Sequence, residues 1–154
     1  EYGIIDEVLY SDGEGVKHLH QVAGGSVKPA SHETVDAREH FIYQEGQAVF
    51  KWAVVKMAEA TEEILKRNNM TSQDISYLLP HQANMRIISA TGKRLELENE
   101  KVLVNIEKYG NTTSATIPML MFENQHKFKK GDNLILTAFG AGFTWGAVLV
   151  KWAI

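Results

Sequence analysis

With 154 residues, 44% of them apolar, and a net charge of −3, the chain is long enough for one domain with its own core, and its charge does not point to a nucleic-acid partner. No apolar run approaches the roughly 18–20 residues that span a bilayer, and no basic stretch followed by an apolar one opens the chain, so the cytoplasm is the expected location. The absence of cysteine removes a disulfide framework and a thiol nucleophile together. The start at Glu1, without Met and within the strand-like Tyr2-Gly3-Ile4-Ile5, suits a fragment or a processed chain.

Ile4, Ile5, Val8 and Leu9 predict an opening strand that ends at the turn Ser11-Asp12-Gly13-Glu14-Gly15, and residues 16–22 alternate again, as in a hairpin or two neighbouring strands. Residues 24–43 hold Gly, Pro29, Ser and mixed charge without a period and read as a long surface excursion capped by Phe41, Ile42 and Tyr43. From Gln47 to Lys66, Val49, Phe50, Ala53, Val54, Met57, Ala60, Ile64 and Leu65 recur at helical spacing, and Asn68-Asn69 closes the helix. Thr71 to Asp74 is a turn or helix-start signal, and Ile75 to Leu79 is a short strand running into Pro80 and delivering His81 at its carboxyl end. A helix over 84–96 buries Ile88 and Leu95 and turns Arg86 and Lys93 away from that face.

Val102 to Ile106 is a brief extended piece before the turn at Asn111, and Ile117 to Phe128 is helical with Pro118 in the first turn. Residues 134–139 and 147–152 are two strands joined by 140–146. Strands separated by helices, with a terminal hairpin, predict an α/β fold with a mixed sheet packed by helices on both faces.

His81 follows a strand at the end of the sheet where such folds gather ligands, and Asn111 lies in another loop. Taken singly, a loop histidine is most often structural. Together, an imidazole Nε2 donor and a carboxamide aimed at one oxygen would stabilise an enolate as it forms, for instance when a malonyl thioester loses carbon dioxide. The glycines at 140, 142 and 146 let backbone approach a ligand and aim an N–H at an oxyanion, although a turn between strands needs no ligand and this one is neither a dinucleotide fingerprint nor a phosphate loop.

Lys51, Lys56, Arg86, Lys93 and Arg94 fall on the two helices flanking the His loop and would attract an acidic or phosphorylated partner, or form a solvated face diluted by Glu59, Glu62, Glu63, Glu96 and Glu98. His18, His20, His32 and His40 lack the pattern of a metal site, so no metal is expected.

The runs Leu79-Pro80-His81-Gln82-Ala83-Asn84-Met85-Arg86-Ile87-Ile88, Tyr109-Gly110-Asn111-Thr112-Thr113-Ser114-Ala115 and Ala138-Phe139-Gly140-Ala141-Gly142-Phe143-Thr144-Trp145-Gly146 closely resemble the C-terminal half of β-ketoacyl-acyl-carrier-protein synthase III. The helix start Glu45 to Lys51 and the closing strand fit as well, so the resemblance covers residues 1–154 as a single domain.

It implies the C-terminal half of a thiolase-like fold, with a catalytic Cys in an absent N-terminal half. The implied activity is acyltransfer that initiates bacterial type II fatty acid synthesis: decarboxylative Claisen condensation of acyl-CoA with malonyl-acyl-carrier protein by a Cys-His-Asn triad, inactive in this piece alone. By resemblance His81 and Asn111 are the His and Asn of the triad, and the Ala141 N–H contributes to an oxyanion hole, at a place where the family often has Gly. Gly46, Gln47 and Asn84 line a pantetheine tunnel, with Gln47 standing where the pattern has Asn. Lys51, Arg86, Lys93 and Arg94 receive the carrier protein. No cofactor is implied beyond the two thioester substrates. The implied partners are acyl-carrier protein, a coenzyme A thioester, the N-terminal half and a second copy in a homodimer. A related condensing enzyme of polyketide metabolism, or a non-catalytic half that only holds a carrier protein, are the alternatives.

Overall fold

The computed structural model describes residues 1–154. Its frame is a four-stranded sheet in the order β1 (Gly3–Ser11), β6 (Thr144–Lys151), β5 (Asn133–Gly140) and β4 (Tyr77–Pro80). β4 runs parallel to β5, whereas β6 is antiparallel to both β5 and β1. Val102 adds a single parallel bridge to Leu78, so the extended piece expected at 102–106 reduces to one ladder contact.

Helix α2 (Gly46–Arg67) lies across one face of this sheet because its apolar residues form a stripe of small and branched side chains. Ala58, Ala60, Ile64 and Leu65 meet Val8, Leu78, Ile135, Ala147 and Leu149 in the largest core cluster. The alanines bring helix and sheet close, and each fully buried Leu or Ile stabilises by about 1.5–3 kcal/mol relative to exposure. At the helix end the Asn68 amide donates to the Ile64 carbonyl and to Asp6 on β1, 2.8 and 2.9 Å away, which fixes the last turn against the edge strand. Helix α3 (Met85–Arg94) packs beside α2 through Ile87, Ile88, Thr91 and Gly92.

On the opposite face, α5 (Thr116–Asn124) joins Leu120 to Leu79, Leu103, Phe128, Leu134 and Val150. Helices thus cover both faces, as expected. Pro118 does sit in the first turn of α5, where its missing N–H costs no intrahelical bond. The helix ends at Asn124 and continues to Lys127 as a 3-10 turn.

Two expectations fail locally. Residues 16–22 are not a second strand of a hairpin with β1: Gly13–His18 is a 3-10 helix, capped by the Asp12 carboxylate on the Glu14 N–H. Only β2 (Leu19–Gln21) is extended, and it pairs with β3 (Ile42–Gln44) in a separate two-stranded sheet. The excursion between them holds a short helix α1 (His32–Asp36), opened by a capping box between Ser31 and Thr34. The terminal hairpin is also tighter than expected, with a turn of Ala141, Gly142 and Phe143 instead of 140–146.

Candidate active site

β4 and β5 present their carboxyl ends at the same edge of the sheet, and a cleft of about 1750 Å³ opens there. It is lined by His81, Asn111, Ala141, Gly46, Gln47, Asn84, Lys51 and Arg86 among others. Eight of the ten residues that the resemblance assigns to the site therefore meet in one place, while Lys93 and Arg94 lie at the far end of α3, outside the lining.

His81 leaves β4 directly. Its N–H donates to the Thr137 carbonyl at 2.8 Å, extending the β4–β5 ladder by one residue, and its own carbonyl accepts from Ala83 N–H at 3.0 Å. The ring is half-buried, Nδ1 stands 3.1 Å from Thr116 Oγ1, and Nε2 makes no hydrogen bond within the chain. Burial holds the imidazole below its ordinary pKa of 6.5 and favours the neutral ring.

Gln82, fully buried, was legible in the sequence only as part of a motif and turns out to hold the site together. Its amide donates to Pro80 O at 2.9 Å and Leu103 O at 3.3 Å, and its Oε1 accepts from the N–H groups of Asn105 and Ile106 at 2.9 and 3.1 Å. That clamp ties the His81 loop to the start of α4 (Ile106–Tyr109), the short helix leading to Asn111.

Glu123 on α5 fastens both ends of the same helix, accepting from Asn105 Nδ2 at 2.8 Å and Tyr109 OH at 2.6 Å, with Lys108 Nζ 3.7 Å away. Those donors lower the Glu123 carboxyl pKa, with Tyr109 first, and the same hydrogen bond raises the Tyr109 phenol.

Asn111 follows Gly110, whose φ of 66° is a conformation that favours glycine. The Asn111 Oδ1 accepts from Thr113 N–H at 2.9 Å and so supports Thr113 at a φ of 51°, rare for a β-branched residue. This contact also assigns the carboxamide, because the oxygen is engaged and Nδ2 is left without a partner in the chain. Asn84 repeats the arrangement at the start of α3: Oδ1 caps Arg86 N–H at 2.8 Å and Nδ2 is unengaged.

Ala141 is exposed at the hairpin turn, with its carbonyl accepting from Thr144 Oγ1 at 3.0 Å and its N–H making no hydrogen bond within the chain. The turn is anchored below by the buried ring of Phe143 against Gly15 and by paired backbone bonds between Phe143 and Asp12.

Around the mouth, the Arg86 guanidinium stacks over the Phe50 ring at 5.3 Å, and neither Arg86, Lys51 nor Lys93 has a carboxylate within 4.0 Å. Arg94 differs, since Glu59 lies 4.0 Å away and also pairs with Lys56 at 2.9 Å. The histidines weighed for metal go separate ways: His18 to Glu45, His40 to Thr34 and His20 onto the Tyr43 ring. No helix is long and apolar enough to cross a membrane.

The sequence matches the family model for the 3-oxoacyl-[acyl-carrier-protein (ACP)] synthase III C terminal over residues 65–152, more than half of the chain. It is 60% identical over 153 residues to the beta-ketoacyl-[acyl-carrier-protein] synthase III of Porphyromonas gingivalis, covering 99% of this chain and 46% of that protein. Among solved structures, the 3-oxoacyl-[acyl-carrier-protein] synthase III of Aquifex aeolicus superposes with a TM-score of 0.84 at 37% identity, covering 98% of this chain and 45% of the other. The corresponding Thermus thermophilus enzyme gives 0.85 at 38% identity, with 99% and 47% covered. The chain spans about half the length of the relatives it matches. Its mixed sheet and covering helices are the thiolase-like α/β half that the motifs implied, and the chain belongs to the family of 3-oxoacyl-[acyl-carrier-protein] synthase III C-terminal domains.

Proposed function

We propose that this chain is the C-terminal half of a condensing enzyme that initiates fatty acid synthesis in the cytoplasm, working as a homodimer with a thiol-bearing N-terminal half. The observation that carries the reading is the meeting of His81 and Asn111 in one cleft, each with a nitrogen unengaged within the chain. Both are neutral donors, suited to an oxygen that gains charge only during the reaction.

The extender thioester loses its carboxylate as carbon dioxide, and the electrons of the broken carbon–carbon bond pass to the thioester oxygen as an enolate. His81 Nε2–H and Asn111 Nδ2–H hold that oxygen. The enolate carbon then attacks the acyl thioester formed earlier on the thiol of the other half, and the thiolate leaves. Ala141 N–H supports the tetrahedral intermediate of acyl transfer. The atoms balance between two thioesters, an acyl-CoA and a malonyl-acyl-carrier protein, and no cofactor enters. Gly46, Gln47 and Asn84 receive the pantetheine arm. Lys51, Arg86, Lys93 and Arg94 meet the acidic carrier protein, with Arg94 weakest because Glu59 shares its charge.

The test separates the two half-reactions in the full enzyme. Asn111→Asp keeps the oxygen that supports Thr113 but loses the donor, and His81→Ala removes the other donor. Each should lower malonyl decarboxylation by about 10²–10³-fold, the cost of losing one oxyanion donor, with acyl transfer to the thiol within a few-fold of wild type. Unchanged decarboxylation in both variants would sink the reading.

A further inference from the structure

One hydroxyl stands between the histidine loop and the asparagine turn. Thr116, the first residue of α5 and 1% exposed, places Oγ1 3.1 Å from His81 Nδ1 and 3.4 Å from the Oγ1 of Thr112, the residue after Asn111. A threonine in a helix commonly returns its proton to the carbonyl four residues back, as Thr61 does to Met57 at 2.9 Å. The Thr116 hydroxyl makes no such bond, and its only partners are the imidazole and the second threonine.

We propose that Thr116 is a positioning residue that fixes the tautomer of His81: its O–H donates to Nδ1, so the ring proton resides on Nε2, the nitrogen free to hold a substrate oxygen. The Thr112 hydroxyl donates in turn to Thr116 Oγ1, giving a relay from Thr112 through Thr116 to the ring.

Three observations support this direction. A neutral imidazole has one donor and one acceptor nitrogen, so the partner of Nδ1 sets the role of Nε2. The Nδ1 contact, at 3.1 Å, is the shorter of the two made by the Thr116 hydroxyl, and the 3.4 Å contact to Thr112 is near the limit of a hydrogen bond, so the imidazole is the hydroxyl's main partner. Burial of the ring opposes the imidazolium, in which Nδ1 would be a donor and the relay would reverse. The relay also ties the asparagine turn to the imidazole, so both donors share one support.

The inference concerns the decarboxylating role proposed above and rests on it for its catalytic consequence, while the tautomer itself is independent of any activity. The experiment uses the full enzyme in wild-type, Thr116→Val, Thr116→Ser and Thr112→Val forms. Long-range ¹H–¹⁵N correlation of the His81 ring, assigned by its loss in His81→Ala, reads the tautomer. Malonyl decarboxylation reads kcat and KM.

Wild type and Thr116→Ser should show the Nε2–H tautomer. Thr116→Val should show a mixture or the Nδ1–H form, with kcat lowered by about 10–100-fold, as for outer partners that orient metal-bound histidines, and KM within twofold. Thr112→Val should keep the tautomer, because Thr116 still has its proton. An Nδ1–H ring in wild type would overturn the proposal, and does so even if Thr116→Val fails to fold. So would a Thr116→Val enzyme with unchanged tautomer and rate. If His81→Ala leaves decarboxylation intact while the tautomer responds to Thr116, the functional reading fails and the positioning role stands.

Discussion

Replacing Gln82 by leucine tests how the site is held. Leucine fills a similar volume, so the effect isolates four hydrogen bonds around a side chain with no exposed surface. The substitution leaves the Asn105 N–H and the Pro80 carbonyl without their 2.9 Å partners, and both residues are buried. Each orphaned buried group costs about 1–3 kcal/mol, so Gln82→Leu should destabilise by about 2–6 kcal/mol; the longer contacts to Leu103 and Ile106 add less. Gln82→Glu sharpens the argument. Its carboxylate could still accept from Asn105 and Ile106 but would face the Pro80 and Leu103 carbonyls, and burial would raise its pKa in the folded state. That variant should be most stable at low pH and lose stability as pH rises through the raised pKa. Urea unfolding of the full enzyme, followed by circular dichroism across pH, reads both variants. A Gln82→Leu protein within about 1 kcal/mol of wild type would refute the clamp, since even one orphaned group exceeds that on average.

The buried imidazole gives a pH signature of its own. Because burial lowers the His81 pKa in the fold, the unfolded chain binds a proton first as pH falls, so stability is full above the ordinary value of 6.5 and declines below it; thermal melts of His81→Gln should show a flatter decline on that acid side. Glu123 has the opposite origin but the same sense: its lowered pKa stabilises above the ordinary carboxylate value and that contribution fades as pH falls through the folded value. Glu123→Gln should speed amide hydrogen exchange over residues 105–111 and lower kcat for the proposed decarboxylation, and unchanged exchange there would argue against its fastening role. Finally, a Cβ on Gly15 would lie 2.4 Å from the Phe143 ring and 2.6 Å from its backbone nitrogen, so Gly15→Ala should cost about 1–3 kcal/mol in a denaturation series and disturb the Ala141 turn. A neutral Gly15→Ala would show that the hairpin tip can shift freely.

The long-period features were readable from sequence because their signals are local. The stripe from Val49 to Leu65 gave α2 to within a residue at each end, and the run into His81 located the carboxyl end of β4. The stretch from Val16 to Val22 was misread for a physical reason. Gly15 is buried under Phe143, β2 finds its partner in β3, and neither pairing leaves a periodic trace. The motif residues His81 and Asn111 were legible as candidates, yet the groups that hold them were not. Gln82 reaches 21–24 residues ahead, Thr116 reaches back 35 residues to His81, and Glu123 reaches back 14 and 18 to α4. Single-sequence patterns carry no information at those separations. Charge counting placed Glu59 among the acids that dilute the basic helices but could not tell that it stands beside Arg94 and leaves Lys51 and Arg86 unpaired.

The polarity of β4 and β5 has a practical consequence. Their amino ends meet at the opposite edge of the sheet, where Asp132 accepts from Lys129 N–H and Ser76 Oγ, and Ser76 Oγ accepts from Asn133 N–H. An eight-residue strand is about 26 Å long, so this corner is remote from the cleft. The exposed Lys130 beside it is a natural handle: a fluorophore or surface tether placed there would report or immobilise the domain while leaving the mouth of the cleft open.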